Sequence, residues 1–129
     1  MSGNRFEGKH VVISGGAAGV GGAASEIFCA EGAHVAIVDI QQEVGNALAD
    51  KINQSGGHAF FVKADVSSSE QVAIAIVVIN ERFENRIDVL FNHAGTVIIK
   101  PFLETTEQEW DWIMNVNVKS MFLMTRAIL

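Results

Sequence analysis

An α/β fold built on a doubly wound parallel sheet follows from three observations. Short apolar runs alternate with longer segments of helical period, a glycine-rich turn joins the first run to the first helix, and an acidic residue closes the second run. The strands read as His10 to Ile13, Val35 to Val38, Ala59 to Val62 and Ile87 to Phe91. Each is brief, rich in β-branched or aromatic residues and followed by a polar or small residue, the pattern of strands buried on both faces. Between them Ala23, Ala24, Ile27 and Phe28, and then Val44, Ala47, Leu48 and Ile52, recur at helical spacing, which predicts two amphipathic helices that cover the sheet. Gly32 and Gly56-Gly57 end them. Ser67 to Glu70 has the spacing of a capping box and starts a third helix that runs to about Phe83, and Thr106 to Glu109 repeats the signal for a fourth. The only proline, Pro101, lies in the loop before that last helix.

The third helix is unusual, because Val72 to Ile79 is apolar on every face whereas a sheet-covering helix needs only a stripe. Its outer face calls for a cover. A partner subunit is one reading, and sequence drift or an error in the deduced sequence is the other.

The chain has 129 residues, of which 49% are hydrophobic, enough for one domain with its own core, and no repeat, linker or low-complexity tract divides it. A mean hydropathy of +0.27 with 19% charged residues is apolar for a soluble domain. Even so, the longest uninterrupted apolar run, Val72 to Ile79, is far short of the roughly 20 residues of a membrane helix. No apolar export segment marks the N-terminus, so a soluble, cytoplasmic protein is expected, with no membrane partner. A net charge of −6 argues against a nucleic-acid partner, which requires clustered Lys and Arg. His10, His34, His58 and His93 are spread over different elements without metal-ligand spacing, so no metal is expected. Cys29, between Phe28 and Ala30, reads as a small buried hydrophobe rather than a reactive thiol. Asn53-Gln54-Ser55 matches a glycosylation sequon by chance.

The turn Ser14-Gly15-Gly16-Ala17-Ala18-Gly19-Val20-Gly21 carries the functional signal. A strand that passes at once into a helix needs residues without bulk if backbone amides are to approach a pyrophosphate at the helix N-terminus. Gly15, Gly19 and Gly21 meet that need. Their spacing differs from the G-x-G-x-x-G of many dinucleotide-binding proteins, and no Lys follows as in the nucleoside-triphosphate loops. Alone, the turn is equally consistent with a tight bend that binds nothing.

Asp39 decides between these readings. It ends the second strand 18 residues beyond Gly21, near the roughly 20-residue offset at which a carboxylate accepts hydrogen bonds from adenosine ribose hydroxyls. The sheet is then Rossmann-like, and residues 1–129 form a dinucleotide-binding domain. A carboxylate at Asp39 would repel a 2′-phosphate, and no Arg or Lys stands in the glycine turn or just after Asp39 to offset it, so NAD is favoured over NADP as cofactor. An ordinary solvated strand end, or a turn started with Gln41 and Gln42, is the bland alternative for this residue.

Together Ser14-Gly15-x-x-x-Gly19-x-Gly21, Asp65-Val66, Asn92-His93-Ala94-Gly95 and Val116-Asn117-Val118 resemble the motifs of the classical short-chain dehydrogenase/reductase family, in the family's order and along the entire chain. The resemblance implies that Ser14 supplies the turn-stabilising hydroxyl usually given by Thr, and that Gly15, Gly19, Val20 and Gly21 line the pyrophosphate. It implies that Asp65 binds the adenine amino group and that Val66 packs near the ring. Asn92, Ala94 and Gly95 would brace the sheet and pass beside the ribose. His93 departs from the family's Asn-Asn-Ala-Gly pattern and is expected to be a tolerated variant.

Asn117 would be the catalytic Asn that organises a water toward the active-site lysine. Its spacing also places it on one helical stripe with Trp110, Ile113, Met114 and Met121, where an amide would be buried and in need of partners. Asn115, about 200° round the helix, faces outward.

The family transfers a hydride between nicotinamide and a secondary alcohol or ketone while a Tyr, activated by a Lys, exchanges the proton with the substrate oxygen. This chain contains no tyrosine. The expectation is a C-terminally incomplete domain with strands in the order 3-2-1-4, its fourth strand left as an open edge. It would be inactive by itself and homo-oligomeric when complete. A non-catalytic dinucleotide-binding module, or an interaction partner for a complete homologue, is the alternative.

Overall fold

A computed structural model describes residues 3–129, so Met1 and Ser2 lie outside the described residues. The chain runs β1 (His10–Ser14), α1 (Gly19–Ala30), β2 (His34–Asp39), α2 (Gln42–Gln54), β3 (His58–Lys63), α3 (Ser69–Phe83) and β4 (Val89–Asn92). It ends in a 3₁₀ turn (Phe102–Glu104), α4 (Glu107–Met114), a π-helical turn (Asn115–Lys119) and α5 (Ser120–Ile128). All strands are parallel, in the order β3-β2-β1-β4. The α/β fold and strand order expected from the sequence are therefore present, with strand bounds shifted by one or two residues.

Alternation along β1 and β2 divides the core into two layers. Val11, Ile13, Val35 and Ile37 face Cys29 of α1 and Ala49 and Ile52 of α2. Val12, Ala36 and Val38 face Val72, Ile76 and Ile79 of α3 and Met124 of α5. The central strands are sealed, and Val11, Val12, Ile13, Val35, Ala36, Ile37 and Val38 have no exposed surface. Asn53, which the sequence offers as a chance sequon, has a structural role: its amide donates to the Ala59 carbonyl and its carbonyl accepts from the Ala59 N–H, both at 2.9 Å, fixing the start of β3. Cys29 is buried as expected, and burial pushes its thiol up to about 11.

The third helix differs from the sequence reading at its start. Ser68, not Ser67, is the cap, and its hydroxyl accepts from the Gln71 N–H at 3.3 Å. Ser67 is drawn away by Asp65, whose Oδ1 accepts from both the Ser67 N–H and its hydroxyl. The apolar run of α3 resolves into two faces: Val72, Ala75, Ile76 and Ile79 are buried, while Ile74, Val77 and Val78 are exposed. The capping box at Thr106 and Glu109 forms with both of its hydrogen bonds, each 3.1 Å. Among the described residues, no helix is long and apolar enough to cross a membrane.

Candidate functional site

The carboxyl ends of β1, β2 and β4 open onto a cleft of about 460 Å³, where ligands bind in open parallel sheets. Of the residues singled out in the sequence, Gly15, Asp39, Asp65, Val66, Ala94 and Gly95 line it. Ser14, Gly19, Val20, Gly21, Asn92 and Asn117 do not, and each has a different place in the structure.

The glycine turn is held from below. The Val38 carbonyl accepts from the N–H of Gly15 at 2.8 Å and of Gly16 at 3.3 Å, and Asp39 Oδ2 accepts from the Ala17 N–H at 3.1 Å. These amides are spent internally, so Gly15 serves the cleft by lacking a side chain. Its φ of +68° and its approach to the Ala94 backbone, where a Cβ would stand 2.8 Å from Cα, leave room only for glycine. The amides left to face the cleft end of α1 are those of its first turn, from Gly19 to Gly21. Ala18 precedes them and provides no side-chain cap. Gly19 has φ +58° and open space where a Cβ would stand. Val20 is an exposed rim residue. Gly21 is buried, and a Cβ there would collide with the Gly15 carbonyl and press on the His93 ring. Its absence lets the helix pack onto the turn.

Ser14 is buried, and its hydroxyl accepts from the N–H groups of His93 and Ala94, both at 3.1 Å. Instead of bonding within the glycine turn, the hydroxyl ties the end of β1 to the exit of β4. Sequence reasoning missed Ser25, which is fully buried and whose single hydroxyl proton is shared between the carbonyls of Gly16 (2.9 Å) and Gly21 (3.0 Å). The signal was available, since a serine four residues after Gly21 is placed to bond back to the preceding turn.

Asp39 ends β2, with Oδ2 on Ala17 and Oδ1 accepting from the Gln41 N–H at 3.1 Å. The turn with Gln41 and a position on the cleft coexist. An ionised carboxylate has about four acceptor sites, so two backbone bonds do not exhaust it. Asp65 likewise lines the cleft with one oxygen committed to Ser67.

Asn92 donates from Nδ2 to Thr125 Oγ1 at 3.2 Å, bracing β4 against α5, and its Oδ1 is buried without a partner. The sequence stripe around Asn117 needs correction. Asn117 is only partly buried, and Trp110 and Met121 are exposed. The π-helical turn inserts an extra residue into the helix and rotates α5, so that Ser120 and Met124 face inward instead. Asn117 nevertheless finds the partners that an amide needs. Its Oδ1 accepts from the Thr96 N–H at 2.6 Å and its Nδ2 donates to the Thr96 carbonyl at 2.8 Å.

That pair fixes Thr96 on the cleft wall, which also includes Ile40, His93, Trp112 and Val116. His93 and Val116 stand within the quoted motifs, whereas Ile40 and Trp112 were not singled out, and Trp112 reaches the cleft only through the packing of the last helices. No Lys or Arg lines the cleft.

Three comparisons with known proteins agree with this architecture. A family model described as short chain dehydrogenase matches residues 9–129. The cyclopentanol dehydrogenase of Comamonas testosteroni is 36% identical over 125 residues, covering 97% of this chain and 50% of that protein. An uncharacterized oxidoreductase of Thermotoga maritima is 39% identical over 121 residues, covering 94% of this chain and 47% of that protein. Among solved structures, a short chain dehydrogenase from Mycobacterium smegmatis superimposes with a TM-score of 0.92 at 32% identity, over 98% of this chain and 54% of that one. The chain thus spans about half the length of the curated relatives it matches.

Proposed function

The chain belongs to the short-chain dehydrogenase family, and on that premise we propose that its cleft binds NAD(H) for hydride exchange with a secondary alcohol or ketone. The observation that carries the cofactor reading is Asp39, a carboxylate on a cleft wall that no Lys or Arg lines, its cross-strand neighbour Lys63 lying outside the lining. Its free acceptor sites suit a ribose diol and oppose a 2′-phosphate.

The nicotinamide ring, when bound, supplies the hydride acceptor or donor. The residues of this chain bind and orient. The uncapped first turn of α1, from Gly19 to Gly21, presents amides and the positive end of the helix dipole to a pyrophosphate. Gly15 and Gly21 keep the approach open, and Ser14 holds the turn against β4. Asp65 and Val66 form the adenine end, with the free Asp65 oxygen toward the amino group. Ala94 and Gly95 form the ribose wall, braced by Asn92.

Asn117 acts as a positioning residue: its two bonds to the Thr96 main chain set the loop that lies beside the reacting end. In the complete enzyme Asn117 would take the place of the family's Asn, which organises a water toward the active-site lysine. The proton exchange of this chemistry needs a Tyr, and the chain has none, so we expect no turnover by these residues alone. A homo-oligomeric, cytoplasmic complete enzyme accords with this reading. Among relatives, the name cyclopentanol dehydrogenase supports a secondary alcohol as the substrate class.

Fluorescence titration tests the cofactor. NADH is expected to bind at least about tenfold more tightly than NADPH, and Asp39→Ala to erase the difference, because the carboxylate is both the diol acceptor and the source of repulsion. Equal affinities in the unmodified chain would defeat the NAD assignment.

A further inference from the structure

The opposite end of the sheet carries a second cluster of functional groups, which dinucleotide binding leaves unused. The parallel register sets His10 beside His34 and His34 beside His58, so three histidines form one row across β1, β2 and β3. The His10 and His34 ring centroids are 5.7 Å apart, and the His34 and His58 rings stack at 4.4 Å with planes 7° apart. The row lines a hollow of about 200 Å³ together with Arg82 of α3. The Arg82 guanidinium lies 4.3 Å above the Phe60 ring, which holds the charge beside the hollow. No carboxylate lines it.

The charges around the row include Lys9, which precedes His10 and whose carbonyl accepts from the His34 N–H at 2.9 Å. Glu7, in the turn before β1, acts on His34 in the opposite sense to the two neighbouring imidazoles. Arg86 and Asp88, before β4, pair with each other at 3.1 Å and largely cancel. From α1 and α2 the nearest groups are uncharged: the protonated thiol of Cys29, which meets the His58 carbonyl, and the amide of Asn53. His10 Nδ1 donates to the Arg86 carbonyl at 2.7 Å, which leaves Nε2 as the atom that takes a further proton. Parallel stacked rings do not converge on one metal ion. Consistent with that, no group of three His, Cys, Asp or Glu among the described residues could hold one.

We propose that this row, with Arg82, is a proton-gated binding site for a small oxyanion. Arg82 gives the hollow a standing positive charge. Each imidazole that takes a proton adds a positive charge and makes protonation of its neighbour harder at these separations. An oxyanion seated in the hollow offsets that repulsion, so anion binding and proton uptake reinforce each other.

Burial first, and then His58 and His10, hold the His34 imidazole below its ordinary range. At His34 the folded chain without an anion therefore binds fewer protons than the unfolded one. It loses stability as pH falls through the ordinary imidazole range, and an anion restores it.

Sulfate is the probe, because it stays a dianion throughout that range. At about pH 5.5, about 10 mM sulfate is expected to raise the thermal midpoint by about 4 °C over chloride of equal ionic strength, and by under about 1 °C at about pH 8. His58→Gln, at an exposed position on the edge strand, should abolish most of the acid-dependent shift. In the unmodified chain, sulfate should also raise the titration midpoints of the His34 and His58 ring resonances. Equal sulfate effects at the two pH values, a full shift retained in His58→Gln, or ring resonances that titrate identically with and without sulfate would each overturn the proposal.

Discussion

β1 and β4 pair with each other residue for residue from Val11↔Val89 to Ser14↔Asn92, yet they live in different environments. Val11 to Ser14 are buried, whereas β4 is only half-buried along its length. The difference extends to the elements each strand leads into. α1 packs on one layer of the core, while α4 has no buried residue and presents Trp110 and Trp112 to solvent. Both regions have good local signals, including a complete capping box on α4. A strand becomes core only when it has a neighbour on each side and a helix on each face, and β4 has one strand neighbour.

The contrast can be tested by perturbing the sealed region and the open one in parallel. The largest effect is expected at Gly21→Ala. A Cβ there meets the Gly15 carbonyl and the His93 ring, so the glycine turn must open. NADH affinity should fall by at least about a hundredfold, with lower stability, since backbone at a well-packed contact has no way to yield. A titration showing near-normal NADH binding would mean that this turn does not carry the cofactor.

Next come paired truncations of the sheet. Ile13→Ala empties a fully buried site and should cost about 3.5 kcal/mol in denaturant unfolding, whereas the half-buried Leu90→Ala should cost about 1.5 kcal/mol. Equal losses would show that β4 is sealed in solution by something else, such as a second copy of the chain.

The smallest change is expected at Thr106→Ala. It removes the hydroxyl's bond to the Glu109 N–H and leaves the backbone bond to the Glu109 carboxylate, a loss worth about 1 kcal/mol in the helix itself. Because α4 buries nothing, global unfolding should register less than that, while hydrogen exchange in α4 accelerates. A full loss in global stability would make α4 part of the cooperative core.

The sequence was most readable where a feature depends on near neighbours. The strand runs, the glycine turn and its offset to Asp39, the Thr106 box and the burial of Cys29 follow from local pattern. The Ser14 hydroxyl was singled out only through the family resemblance, and the partners it meets stand about eighty residues along the chain. Two kinds of feature escaped. Ser67 and Ser68 both suit a helix cap, and only the three-dimensional claim of Asp65 on Ser67 decides between them. The place of Trp112 on the cleft wall depends on how the last helices pack, and the stripe drawn through Asn117 assumed a constant period that the π-helical turn breaks. The histidine row is a third case. Spread along the chain, its members look unrelated, and they meet because the register sets them side by side.

The extra residue held between Asn115 and Lys119 makes this stretch intolerant of changes in chain length. Deleting one residue there would restore a regular α-helix and, by local criteria, improve it. Everything downstream would then turn by about 100°. Met124 would leave the space under β1 and β4, Thr125 would swing away from Asn92, and Asn117 would lose its alignment with Thr96. Related chains should therefore accept substitutions in this segment far more readily than a single-residue gap.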